Sequence, residues 1–327
     1  MIKNFYLLLL SLLIFFSSSC KKEIHTIAFY NLENLFDTLD NPKINDNEFL
    51  PDSEKQWNTA KYYNKLDSLA KVISLMGASG GPEILGLCEM ENRMVLEDLS
   101  NRSSLKNLSY QIAHIESRDR RGIDVALFFK PDYVLDTAIA LEVEIEDEPD
   151  FRTRNILYVR LIGKRKEVFH FYVNHWPSRY GGREESNYKR IAASNSLKGH
   201  LFQILENDPK ANIIIMGDFN DETTDASLQN LKGTVINTFA ALDSAEKGSY
   251  RYRDNWNMLD QILISPSLLD GKNPDYVQGS AGIFERDWLK QKGENNRYKG
   301  YPLRTWGGSL YLGGFSDHFP VFIKVEK

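Results

Sequence analysis

Four short runs of β-branched, aromatic and aliphatic residues each adjoin groups able to hold a metal or move a proton. Ile84-Leu85-Gly86-Leu87-Cys88 ends on Glu89. Phe169-His170-Phe171-Tyr172-Val173 leads to His175, and Ile213-Ile214-Ile215-Met216 leads to Asp218 and Asn220. Ser316-Asp317-His318 stands immediately before Phe319-Pro320-Val321-Phe322-Ile323. Apolar runs of this length read as strands of a buried sheet. A fold that aligns their ends gathers carboxylates, an amide and imidazoles on one sheet rim.

The rest of the chain supplies the layers. Ile24 to Tyr30 reads as a first strand, and residues 37–58 as an acidic, Asn-rich surface loop. Leu66, Leu69, Ala70, Ile73 and Met76 share a helical face, predicting a helix over about 59–77. A short helix is expected in 91–100. Strands are expected at Glu83–Cys88, Tyr110–Ile115, Val125–Phe129, 133–146, 155–162 and 167–174. In the 133–146 segment, Glu142, Glu144 and Glu146 alternate with Val143 and Ile145, as on a half-solvated strand. Ile191, Ser194, Leu197, Leu201 and Leu205 predict a second long helix within 184–206, before strands near 212–217, 259–264 and 319–325. Hairpins mixed with strand–helix–strand units favour a layered α/β sandwich over a purely parallel sheet. Residues 279–314 are rich in Gly, Arg, Tyr and Trp and lack periodicity, as suits an insert that serves a site.

The amino terminus is of another kind. Lys3 precedes an apolar run from Tyr6 to Phe16, broken only by Ser11, and then Ser17, Ser18, Ser19 and Cys20. This is the pattern of an export signal, too short for a comfortable membrane span. It resembles a bacterial lipoprotein signal over residues 1–19, with Cys20 as the lipidated first residue and Ser17 in place of the more usual leucine. Residues 24–327 then form one domain, tethered in the cell envelope at either membrane; plain secretion is the alternative. Cys88, inside a strand pattern, is expected to be a buried small hydrophobe. The formal charge of −5 argues against bulk electrostatic capture of nucleic acid, while leaving room for a local cationic patch.

Carboxylate and amide oxygens suit Mg²⁺ or Mn²⁺. No thiolate cluster and no HExxH pattern is present. Such groups characteristically hydrolyse phosphate esters, where a metal polarises the phosphoryl oxygen and a base orients water. The chain resembles the endonuclease/exonuclease/phosphatase superfamily from about Ile24 to its end. Six motifs carry the resemblance in family order. They are Asn31 in Tyr-Asn-Leu-Glu-Asn, Glu89 in Leu-Gly-Leu-Cys-Glu, His175 in Val-Asn-His-Trp-Pro, Gly217-Asp218-Phe219-Asn220, Leu259-Asp260-Gln261-Ile262 and Ser316-Asp317-His318.

The resemblance implies a four-layer α/β/β/α sandwich, two mixed sheets packed face to face with helices outside. It implies Glu89 and Asn31 as metal ligands, completed or supported by Asp317, with Ca²⁺ as a possible supporting ion. Asp218 matches the residue that orients or activates water, and Asn220 its phosphate-binding neighbour. His318 matches the essential histidine at the scissile phosphate and Asp260 the carboxylate that orients it. Protonated, His318 hydrogen-bonds a phosphoryl oxygen; neutral, it takes a proton from water. His175 resembles the second histidine of the deoxyribonuclease branch, with Asp124 as its expected partner.

Other residues compete with these. Glu91 rivals Glu89 but suits a helix start. His25, His114 and His170 read as structural, and His200 as a helix-surface residue. Among many arginines, Arg179 and Arg154 are the phosphate-binding candidates. Trp288, Tyr298, Tyr301, Trp306, Tyr311 and Phe315 either stack on bases, line a leaving-group pocket or fasten a long loop. The expected activity is an exported endonuclease on DNA, with RNA as a second polymer. The alternatives are a phospholipid, sphingomyelin or sugar-phosphate phosphodiesterase or phosphatase, and a non-catalytic lipid-tethered binding protein. The expected partners are the phosphate ester and a membrane, reached through Cys20, with no obligate protein partner.

Overall fold

The computed structural model describes residues 23–78, 80–272, 274–293 and 298–327. The expected signal and Cys20 lie outside the described residues. From the amino end come β1 (Ile24–Leu35), α1 (Thr59–Ser74), β2 (Ile84–Met90), α2 (Arg93–Ser100), β3 (Gln111–His114), β4 (Asp124–Phe129) and β5 (Tyr133–Leu141). The middle holds β6 (Ile156–Gly163), β7 (Val168–His175), α3 (Asn187–Asn207), β8 (Asn212–Asp218), α4 (Ala226–Gln229), β9 (Ile236–Asn237) and α5 (Ala240–Ser244). Then follow β10 (Tyr250–Tyr252), β11 (Asn255–Asn257), β12 (Asp260–Ile264), β13 (Asp275–Tyr276), β14 (Gly282–Ile283), β15 (Trp306–Gly307), β16 (Leu310–Tyr311) and β17 (Val321–Glu326).

One sheet runs β13-β17-β1-β2-β4-β3, with β14 also on β17; the other runs β5-β6-β7-β8-β12-β9. Both mix parallel and antiparallel pairs, β1 with β2 and β7 with β8 being parallel. Period-two alternation explains how each sheet buries both faces. In β1, Ile27 and Phe29 point to the core between the sheets, against Phe171, Val173, Ile214 and Met216. Ala28, Tyr30 and Leu32 point the other way, beneath α1 and α2. On the far side, Tyr172, Ile213 and Ile215 pack under Ala193, Leu197 and Leu201 of α3. The result is a mixed α/β sandwich of two central sheets flanked by helices.

Helix α1 forms where its apolar face predicts, capped by Asn58, whose side chain accepts from the Lys61 N–H. Leu66, Leu69 and Ile73 are fully buried, each worth roughly 1.5–3 kcal/mol of transfer free energy. Helix α3 is less amphipathic than its predicted stripe. Its buried face includes Arg190, which a hydrophobic pattern cannot reveal.

Two expectations change. Glu142, Glu144 and Glu146 lie beyond the end of β5, because its partner β6 begins only at Ile156, opposite Leu141. Glu91 does not begin α2: Asn92 is the cap, and Glu91 accepts from the Asp37 N–H at 2.8 Å, its pKa pushed up to about 7 by burial.

Candidate active site

The functional groups meet where strand ends are bent. β1 carries extra residues between Asn31 and Leu35 relative to β2, and β2 carries one at Glu89 relative to β4. Glu33, Asn34 and Glu89 all adopt positive φ, of 50°, 52° and 63°. Such bulges in non-glycine residues re-aim side chains at a cost in backbone strain. Asn220, with φ of 52°, turns the chain just after β8. Gly217 lets β8 lie close to β7, since a Cβ there would meet the Asn174 carbonyl oxygen at 2.5 Å.

Asn31 is the hub. Its Nδ2 donates to Asp218 Oδ2 at 3.1 Å and to Glu89 Oε1 at 3.3 Å, while its Oδ1 accepts from the Glu33 N–H at 2.9 Å. Glu89 is also fixed by the Asn34 N–H at 2.9 Å. His175 Nε2 lies 3.8 Å from Glu89 Oε1 and 3.9 Å from Asp218 Oδ2. Burial, followed by Arg154 and Arg121, holds His175 well below the ordinary histidine range.

Across Asp218 stands the paired imidazole. His318 Nδ1 is 2.6 Å from Asp260 Oδ2, and its Nε2 is 3.9 Å from Asp218 Oδ2. Burial opposes charge on His318, but Asp260 and Asp218 outweigh it and raise its pKa well above the ordinary range. Asp260 is completely buried at the start of β12, opposite Asp218 in the sheet register, and is also hydrogen-bonded by Ser249. Burial pushes the Asp218 carboxyl up to about 7; His318 opposes this, and Asp260 and Glu89 reinforce it.

The structure therefore brings Asn31, Glu89, His175, Asp218, Asp260 and His318 together. Asn220 stands beside them, its N–H donating to Asp218 Oδ1 at 3.0 Å and its Nδ2 to the Trp176 carbonyl at 3.0 Å. Asp218, Asp260 and His318 offer ligand atoms all within 4.8 Å of one another, a buried cluster able to bind a divalent cation. Glu89 lies beside this cluster, its Oε1 and Asp218 Oδ2 both accepting from Asn31 Nδ2. Hard oxygen donors and crowded negative charge fit Mg²⁺ or Mn²⁺. Asp260 Oδ2 also serves His318 and Ser249.

Side-chain contacts correct the Asp124 and Arg154 expectations and show how Arg179 and Asp317 are held. Asp124 does not reach His175; it takes His114 Nε2 at 3.0 Å and the Ser117 N–H at 2.9 Å, because His114 faces it from the neighbouring strand. Arg154 is buried and bound to Asp119 and to the carbonyls of His175 and Trp176, so it braces the His175 segment rather than meeting a phosphate. Arg179 is likewise engaged, with the Asn220 carbonyl at 2.8 Å and Asn257 Oδ1 at 3.0 Å. Asp317 is joined to Arg304 at 2.9 Å.

Sequence reasoning missed several supports. Arg190 Nε lies 2.7 Å from Asp221 Oδ1, anchoring the turn after Asp218 to α3. Glu33, buried, accepts from the Thr305 N–H at 2.6 Å and from Arg304 Nε at 3.4 Å. Lys65 reaches Thr305 Oγ1 at 2.5 Å, tying α1 to the segment before His318. A lysine amid a predicted apolar helix face was the one available signal.

A family model described as "Endonuclease/Exonuclease/phosphatase family" matches residues 26–327. No curated protein sequence matches the chain. Among solved structures, truncated Caenorhabditis elegans TDP2 superposes with a TM-score of 0.58 at 13% identity, covering 93% of this chain and 98% of that one. A Bacteroides thetaiotaomicron mannosyl-6-phosphatase gives 0.57 at 15% identity, covering 92% and 99%. The human Nocturnin catalytic domain with bound sulfate gives 0.53 at 16%, covering 93% and 97%. At these identities the likeness concerns the fold.

Proposed function

The chain belongs to the endonuclease/exonuclease/phosphatase family, and we propose that it is a divalent-metal-dependent phosphodiesterase acting on DNA, with RNA as a second polymer. The metal-dependent phosphoesterase class rests on the family and on the buried acidic cluster. One observation carries the mechanism: His318, held by Asp260 at 2.6 Å, faces Asp218 across 3.9 Å. That separation is too long for a direct hydrogen bond. Both groups can instead reach a common oxygen atom of substrate or water.

Asp260 keeps the His318 Nδ1 proton in place and favours the imidazolium, whose Nε2–H donates to a phosphoryl oxygen as charge grows there. Asp218, close to neutral titration, accepts a proton from the attacking water as the new phosphorus–oxygen bond forms. The ester phosphorus–oxygen bond breaks, and the leaving oxygen is protonated from solvent. Asn31 fixes Glu89 and Asp218 relative to each other, and Asn220 holds Asp218 from the other side. Bound at Glu89 and Asn31, Mg²⁺ or Mn²⁺ would polarise the phosphoryl oxygen and neutralise the leaving group. His175 Nε2, 3.8 Å from Glu89 Oε1 and 3.9 Å from Asp218 Oδ2, can reach an oxygen atom held between them.

Full-length protein incubated with plasmid and single-stranded DNA, with Mg²⁺, Mn²⁺ and Ca²⁺ supplied separately, tests the reading. Cleavage that EDTA abolishes is expected; no cleavage with any metal sinks it. Mannose 6-phosphate belongs in the same panel, because a mannosyl-6-phosphatase shares the fold. We further propose that the enzyme is exported and tethered through Cys20. Labelled palmitate should enter the wild type and not Cys20→Ser, and equal labelling of both removes the tether.

A further inference from the structure

Helix α1 buries a lysine among its core residues. Lys65 is 1% exposed, and Tyr62, Leu66, Leu69 and Ile73 fill the rest of the buried face. Taking an ammonium out of water is costly, and replacing a buried ion pair by apolar groups of like size is often neutral or stabilising. Cohesion between α1 and the sheet would be served as well by methionine. A lysine at this position holds groups whose placement matters.

An ammonium has three N–H donors, and that of Lys65 faces an oxygen from each of three segments distant in sequence. Nζ donates to Thr305 Oγ1 at 2.5 Å and to the Phe315 carbonyl at 3.2 Å, and it lies 3.9 Å from Glu33 Oε2. Each of these contacts leads on to the site. The Glu33 N–H donates to Asn31 Oδ1, and the Asn31 amide holds Glu89 and Asp218. Phe315 precedes Ser316, whose hydroxyl donates to the Asn31 carbonyl at 2.7 Å and accepts from the His318 N–H at 3.1 Å. The Thr305 N–H donates to the Glu33 carboxylate, and Arg304 joins that carboxylate to Asp317, next to His318. Lys65 is thus shared by two halves of the site. One is built on the bulge of β1; the other is carried by the segment entering β17. Aromatic packing fastens that segment farther out, Trp306 against Trp57 and Tyr311, and Trp288 against Phe315. The polar contacts fix where it sits on β1.

We propose that Lys65 is a positioning residue, a buried pin that sets His318 against the group of Asn31, Glu89 and Asp218. The proposal rests on the phosphodiesterase reading above and goes beyond it, because Lys65 acts only through other residues. The test compares full-length wild type with Lys65→Met, with Thr305→Val, which removes one acceptor and leaves the ammonium and Glu33, and with the double variant. Each is assayed at a temperature where circular dichroism shows it fully folded, so that a merely structural role leaves kcat unchanged. On bis(4-nitrophenyl) phosphate with saturating Mg²⁺ or Mn²⁺, Lys65→Met should lower kcat by about ten- to a hundredfold, as misplacement by about an ångström can, while KM stays within about twofold. Thr305→Val should lower kcat in the same direction. The double variant should be no slower than Lys65→Met, since groups acting as a unit are not additive. A kcat within about twofold of wild type in both single variants, or losses that multiply in the double variant, overturn the proposal. A second readout needs no turnover. The His318 Nδ1 proton, assigned with His318→Gln in protein carrying nitrogen-15 histidine, should shift or broaden in both single variants. If Lys65→Met does not fold, Thr305→Val decides by both readouts. If the wild type turns over no ester, the function proposed above falls, and the pin is judged on this resonance alone, where an unchanged signal overturns it.

Discussion

His318 Nδ1 lies 2.6 Å from Asp260 Oδ2, and the two residues are 58 positions apart in the chain. The carboxylate is fully buried at the start of β12, and the imidazole is delivered by the segment entering β17. Their pairing decides the charge at the scissile phosphate. Asp260→Asn should therefore lower kcat on any accepted phosphate ester by on the order of 10²-fold or more. Its pH dependence has a definite sign. Burial disfavours imidazolium, and Asp260 is the strongest group opposing that effect. With its charge gone the His318 pKa falls, so the limb on which activity is lost with rising pH moves to lower pH. A pH–rate profile measures it; a variant with full activity and an unmoved limb removes His318–Asp260 from the chemistry.

Glu89 is aimed by a bulge and held by Asn31 and the Asn34 N–H. Glu89→Gln keeps the shape and removes the charge. Activity should fall roughly 10²-fold or more, and Mg²⁺, expected to raise the melting temperature of the wild type, should not raise that of the variant. Retained metal stabilisation in this variant would move the ion to the Asp218, Asp260 and His318 cluster.

The Arg190–Asp221 pair is buried on both sides, with Ser227 also donating to Asp221 at 2.6 Å. Breaking such a pair from one side typically costs about 3–5 kcal/mol, because the remaining charge stays buried. Arg190→Met should show that loss in urea unfolding, and Arg190→Met/Asp221→Asn should recover part of it. Additive losses in the double variant would mean that the two groups do not interact.

Three histidines each share a hydrogen bond with a tyrosine hydroxyl: His25 with Tyr133, His170 with Tyr158 and His200 with Tyr172. Burial lowers the pKa of all three, His170 to about 4. A depressed folded-state pKa contributes stability that is present above the unfolded value near 6.5 and lost as pH falls through the folded one. Stability should thus decline between about pH 6.5 and 4, with His170 contributing up to about 3 kcal/mol. His170→Gln should flatten that decline in denaturant titrations at stepped pH. An unchanged slope would show that His170 does not drive it.

Much of the site was legible because each functional group sits against an apolar run with a clear strand period. Glu89, His175, Asp218 and His318 could be placed on a rim from that pattern alone, and the first long helix from its apolar stripe. Asp124 and Arg154 were not legible in the same way. Each stands at or before the start of a strand, yet one turns to His114 and the other to the carbonyls of His175 and Trp176 at the end of β7. Which neighbour a polar side chain meets depends on register and bulges, which a periodic pattern does not encode.

Strand and helix periods, and the order of six polar motifs, were determined by the sequence itself, since local spacing dictates which faces can be buried. Only the packed structure decided that the Asn31 amide spans Glu89 and Asp218, that arginines expected at phosphate instead brace backbone, and that Lys65 of α1 reaches the segment before His318. Those outcomes depend on where distant segments come within hydrogen-bonding reach, and on how far burial makes each polar group seek a partner.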